Sequence, residues 1–187
     1  SSDLFGMLAP LAAHCTGRDW MHAGALREIL SAGFDVTHWG NASLLGAPEA
    51  FRWGTGKRLV TLHEYWLVCP SHVLMRNGEE ICTRRTCYRC TMRRGRPPQL
   101  WRHNGVITEG LENIDLFLAP SDFVKATIAK YLPQLPIAVL PNFVPRRAAP
   151  AAAREDYYLV GGRLEHLKGI HTIVPLDRKS TRLNSSH

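Results

Sequence analysis

Short apolar runs rich in β-branched residues alternate with helix-period stretches along most of this chain, and that alternation constrains its fold more than any other feature. Candidate strands occupy residues 34–39, 58–63, 115–119, 137–140 and 157–160. Candidate helices occupy residues 19–32, residues 121–131 and a short stretch from Lys168 onward. Ser121 is a good N-cap, with Asp122 in the first turn, Lys130 in the last turn and Pro133 as a stop. Strands and helices that alternate at this spacing imply βαβ units, hence an α/β fold with a mainly parallel sheet. The Pro- and Ala-rich segment at 145–154 (PRRAAPAAAR) reads as a linker with a new strand just after it, which places a domain boundary near residue 150.

The 187 residues suffice for one ordinary domain plus a remainder, or for one half of a larger two-domain enzyme. With 45% apolar and 21% charged residues, the composition excludes a disordered or fibrous chain. No run approaches the roughly 18 uncharged apolar residues of a membrane span; the longest candidates, 4–17 and 132–145, are interrupted by Pro or Gly. No basic segment precedes an apolar stretch at the start, so nothing reads as a signal peptide. The last eleven residues, DRKSTRLNSSH at 177–187, translate codon for codon from a common sequencing-adapter read. They are expected to be an artefact outside the fold, on a chain that is a truncated piece of its gene. That tail holds three basic residues and one acidic residue, so the net charge of +7 becomes +5 without it.

Residues 68–110 break the alternation and read as an insertion on the C-terminal side of the sheet, where α/β folds carry functional loops. Cys69, Cys82, Cys87 and Cys90 follow the spacing C-x12-C-x4-C-x2-C. The Cys87–Cys90 knuckle can place two thiolates on one metal ion, and Cys69 and Cys82 complete a tetrahedral set for structural zinc. An insertion with so few large apolar residues is expected to need such a staple. The same four residues also fit two disulfides, plain free thiols or an iron–sulfur cluster. Arg84, Arg85, Arg89, Arg93, Arg94, Arg96 and Arg102 occur here with no Asp or Glu among them, and Tyr88 and Trp101 are interleaved. A single-sign run attracts a polyanion or an anionic membrane surface, with Arg93, Arg94 and Arg96 the foremost contacts.

Two strands end in polar residues. His63 and Glu64 close one, and His38 and Asn41 follow the other to the same sheet edge, where ligands meet an open parallel sheet. Asn41-Ala-Ser43 also fits a glycosylation acceptor. A third segment places Gly161 and Gly162 after a strand, then Arg163 and Lys168. Glycines admit close approach of backbone amides to an anion, and the two cations can neutralise a diphosphate. The pattern is neither GxGxxG nor a Walker loop.

Taken in order, FDVTHWGN, RLVTLHEYWLVCP, LFLAPSDFVKATI, IAVLPNFVP and VGGRLEHLKGI resemble the motifs of a family-4 glycosyltransferase of GT-B architecture, within a subset that carries a Cys/Arg-rich insertion. The resemblance implies a Rossmann-like acceptor-side domain over 1–144, incomplete at its N-terminus. A linker at 145–155 and the start of a nucleotide-sugar donor domain at 156–176 follow. It implies retaining transfer from a nucleotide-sugar donor to a saccharide or lipid-linked acceptor hydroxyl, with no metal cofactor for catalysis. His63 would lie by the transferred sugar in the catalytic position. Gly162, Arg163 and Lys168 would hold the donor phosphates, and His38, Asn41 and Glu64 would line the acceptor cleft. A cytoplasmic location follows, peripheral at the inner membrane face. Phe143 stands where the family carries Gly, and the donor domain's paired glutamates would lie downstream, so this stretch alone is not expected to catalyse. The alternative is a zinc-stabilised, Arg-rich module that binds nucleic acid or membrane on an α/β scaffold; of those two partners, nucleic acid is the less expected.

Overall fold

The structure, a computed structural model, describes residues 2–18, 23–45, 47–76, 80–84, 86–144, 161–162 and 168–173. The chain divides into two units, Ser1–Phe143 and Val144–His187. In the first, the elements run α1 (Ser2–Thr16), α2 (Ala23–Leu30), β1 (Val36–Trp39), β2 (Lys57–Thr61), β3 (Met75–Arg76) and β4 (Glu80–Ile81). They continue as α3 (Cys87–Arg93), α4 (Val106–Leu111), β5 (Leu116–Ala119), α5 (Asp122–Ala129) and β6 (Ile137–Val139). Short 3₁₀ turns at Ala42–Leu45, Pro48–Arg52 and Leu100–Arg102 fill connections. The second unit contributes α6 (Ile170–Ile173) to the described residues. The linker at 145–154, the strand expected at 157–160, and the tail at 177–187 lie outside them.

β1, β2, β5 and β6 form one parallel sheet in that order, so the α/β architecture read from the alternation is present. Each crossover advances one strand in the same direction, and right-handed crossovers then put the connections on one face. Burial follows that rule. Trp39, Val60 and Phe117 share a row through the strand register and are buried. The row of His38, Leu59 and Leu116 on the opposite face is partly or fully exposed.

The elements are shorter than their sequence patterns. Phe34 and Asp35 precede β1, although the Asp35 carbonyl already accepts the Lys57 N–H at 2.8 Å. At the other end Leu62 still donates to the Leu118 carbonyl at 2.8 Å, but His63 has left the ladder. The helix expected over 19–32 is described as Ala23–Leu30 and gives way to a turn at 31–33. Ser121 caps α5 as its position predicts: its Oγ accepts the Val124 N–H at 3.3 Å.

Two packing features were not legible in the pattern. The apolar stretch at 4–17, too short for a membrane, forms most of α1; among the described residues no helix is long and apolar enough to cross a bilayer. The insertion also turns out to have an apolar root. Trp101 is completely buried, and its Nε1–H donates to the His14 carbonyl of α1 at 2.8 Å. Gly17 ends α1 in the left-handed region at φ +73°, and a Cβ there would stand 2.6 Å from the Trp101 Cβ. Trp101 closes an aromatic line that starts in the sheet. Trp39 meets Phe51 edge-on at 6.1 Å, Phe51 meets Trp66 edge-on at 6.2 Å, and Trp66 tilts against Trp101 at 5.4 Å.

The start of the β2–β5 pairing is fixed by polar contacts. Asp115 donates its N–H to the Arg58 carbonyl at 2.9 Å. Its carboxylate accepts Lys57 Nζ at 2.8 Å and the Arg58 N–H at 2.9 Å. The Lys57 hydrogen bond, then the Arg58 amide, hold the Asp115 carboxyl below its ordinary range. A carboxyl depressed on folding adds stability above its unfolded pKa and loses it as pH falls through the folded value. Asp115→Asn should therefore lower the melting temperature near neutral pH, and the gap from the parent should close as the solution is acidified below the usual carboxylate range. A gap that stays constant with pH would show that the charge contributes nothing.

Candidate functional site

β1 and β2 run parallel, so their C-terminal ends open on the same side, and the chain after each turns over the sheet edge. A shallow open cleft lies there, lined by Asn41 and Ser43 after β1, by Thr61, His63 and Glu64 after β2, and by apolar groups including Leu62 and Trp66. Three of the four residues that the strand-end argument singled out thus share one cleft. His38 lies further back on β1, where its Nε2 is hydrogen-bonded to Thr61 Oγ1 at 2.7 Å.

Each polar group has a distinct situation. The Asn41 Oδ1 accepts both the N–H and the hydroxyl of Ser43, at 3.2 and 2.7 Å, so the amide oxygen starts the Ala42–Leu45 turn. His63 is exposed at the rim and has no side-chain partner among the described residues. Glu64 is turned inward: its Oε2 accepts Nδ1–H of His72 at 2.9 Å, while its Oε1 is buried without a partner among the described residues. An orphaned carboxylate oxygen at a cleft wall is costly unless a ligand or water donates to it.

His72 is the residue that sequence reasoning missed. It stands eight positions after Glu64 in an insertion without periodicity. The turn that returns it is held by its own backbone: Cys69 N–H to the Tyr65 carbonyl at 2.7 Å, and Tyr65 N–H to the His72 carbonyl at 3.0 Å. His72 sits at φ +67° and Leu74 at +52°, left-handed positions that a leucine adopts only under constraint.

Arg102 separates from the other arginines of the insertion. Its guanidinium lies 4.3 Å from the Trp101 ring centroid and 6.0 Å from that of Trp66. It donates to the carbonyls of Leu67 at 3.1 Å and Trp66 at 2.6 Å, and to Gln99 Oε1 at 2.5 Å. It clamps the loop that carries Glu64. Arg93 and Arg96 point to solvent, and Arg94 is half-buried at the end of α3. Arg102→Ala should destabilise the chain by about 2–3 kcal/mol in urea unfolding, through two carbonyls left unsatisfied and a lost cation–π contact. Arg102→Lys should recover little of this, because an ammonium cannot fork to both carbonyls.

The four cysteines of the insertion occupy unlike environments. Cys69 is buried with Sγ 3.2 Å from Ser71 Oγ, and Cys82 is half-exposed with Sγ 3.7 Å from the Arg84 carbonyl. Cys87 and Cys90 lie one turn apart on α3, the first half-exposed and the second buried. None of the four is in a disulfide, and among the described residues no group of three or more His, Cys, Asp or Glu is arranged to hold a metal ion. The expected zinc set is therefore not assembled in this structure. Thiol titration of the native chain should find Cys15, Cys82 and Cys87 fast, and Cys69 and Cys90 silent until unfolding. Protection of Cys82 and Cys87 that a chelator relieves would instead mean a shared metal.

On the donor side, Gly162 and Lys168 are exposed ahead of α6, and Arg163 lies outside the described residues. Comparison of the chain with protein-family models, with curated proteins and with solved structures found no match.

Proposed function

We propose that the chain is the acceptor-side part of a retaining glycosyltransferase of GT-B architecture, moving a sugar from a nucleotide-sugar donor to the hydroxyl of a saccharide or lipid-linked acceptor. The observation that carries this reading is the convergence of His63, Glu64 and Asn41 on one cleft at the C-terminal ends of two parallel strands. Five ordered motifs that resemble family-4 enzymes support it.

In the transfer, the bond from the sugar's anomeric carbon to the diphosphate oxygen breaks, the bond to the acceptor oxygen forms, and the acceptor hydroxyl's proton passes to the departing diphosphate oxygen. His63, exposed and unengaged at the rim, hydrogen-bonds the transferred sugar. Glu64 is a positioning residue: its pairing with His72 holds the loop after β2 beside His63 at the cleft. The Asn41 amide nitrogen remains available to a hydroxyl once its oxygen serves Ser43. Arg163 and Lys168 neutralise the departing diphosphate, which is where negative charge develops.

The test is nucleotide release from UDP- and GDP-linked sugars by the full gene product. His63→Ala should lower kcat about 100-fold. Glu64→Gln should raise KM for the acceptor while leaving affinity for the nucleotide unchanged. Absence of UDP and GDP binding, together with RNA affinity that falls steeply with salt, would replace this reading by that of an Arg-rich nucleic-acid module.

A further inference from the structure

We infer that the outward side of α3, with the turn that follows it, is a docking surface for an anionic phospholipid bilayer. The inference does not rest on the sugar-transfer reading.

From Cys82 to Thr108 the chain has seven arginines and no Asp or Glu. The fold sorts them. Arg102 is drawn inward by Trp66 and Trp101, whereas Arg89, Arg93 and Arg96 are exposed, and no ion pair among the described residues engages them. Cys90 and Thr91 bury the inner side of α3, and the Thr91 hydroxyl donates to the Cys87 carbonyl at 2.7 Å. The helical period then sends Tyr88 and Met92, one turn apart, to the outer side; they are 60% and 52% exposed. Arg89 and Arg93 form the neighbouring row on the same side. Gly95 takes φ +63° and donates to the Met92 carbonyl at 3.0 Å, and Arg96 donates to the Thr91 carbonyl at 3.2 Å. That paired closure ends the helix and returns Arg96 to its tip. Leu100, 54% exposed, follows directly, beside the fully buried Trp101.

The result is a short basic and apolar ledge rooted in the core. Cations at the helix C-terminus are favoured by the backbone dipole, so the cluster is tolerated without acidic partners. A nucleic-acid backbone would satisfy the arginines and could stack on Tyr88, but it would leave Met92 and Leu100 in water. The interface of an anionic bilayer accepts both kinds of group at once: lipid phosphates meet the guanidinium groups while the apolar side chains enter the headgroup boundary. A seven-residue helix is too short to bind alone, but here the protein body holds it in shape.

The experiment is co-sedimentation of the full chain with vesicles of phosphatidylcholine alone, or with about one-third phosphatidylserine. Binding is expected to the anionic vesicles only. Combined Arg89→Gln, Arg93→Gln and Arg96→Gln should weaken it about 100-fold, at roughly fivefold per arginine near the surface. Tyr88→Ser with Met92→Ser should weaken it about tenfold. Lys125→Gln with Lys130→Gln, on α5 and just after it, should leave binding unchanged. Equal binding by the arginine variant, or by the Tyr88 and Met92 variant, overturns the inference. Full competition by single-stranded RNA together with an inert Tyr88 and Met92 pair assigns the surface to nucleic acid instead.

Discussion

The burial of Trp101 beside Arg102 is the contact on which the rest of the first unit depends. Trp101 ties the insertion to α1 through the His14 carbonyl, and Arg102 ties it to the loop after β2 through the carbonyls of Trp66 and Leu67. Without that junction, a long arginine-rich excursion would have no apolar reason to return to the body. Its cost is small because the guanidinium finds three acceptors and two indole faces, so a partly buried charge is satisfied rather than stranded.

This junction also links the strand-end cleft to the outer side of α3. His72 of the insertion pairs with Glu64 at the cleft, and α3 of the same insertion presents Tyr88, Arg89, Met92 and Arg93 to solvent. The cleft is built on parallel strands whose ends are fixed by the register, so its polar residues are positioned by a rigid ladder. The loop that carries Glu64 relies instead on its own backbone hydrogen bonds and on left-handed positions at His72 and Leu74, a constraint the surrounding contacts must enforce.

The fold was legible where the physics is local. Four of the strand runs, the Ser121 cap and the delivery of His63 and Asn41 to one edge follow from period and cap chemistry alone. The ends were read too long, because apolar character continues past the last ladder bond: Leu62 is buried and paired although β2 ends at Thr61, and His63 is already outside. The apolar stretch over 4–17 suggests only a membrane span too short to form, yet it makes most of α1, with Pro10 inside the helix.

The sequence by itself determined the class of fold, the strand ends that meet at the cleft, and the surplus of positive charge. Each of these depends on neighbours within a few residues or on composition. Only the tertiary structure decided which arginine is a clamp and which are exposed, that His72 returns to Glu64, and that Cys69 and Cys90 are buried while Cys82 and Cys87 are partly exposed. Those outcomes depend on contacts between residues distant along the chain, whose partners are chosen by burial and by the satisfaction of polar groups, and spacing carries no record of either.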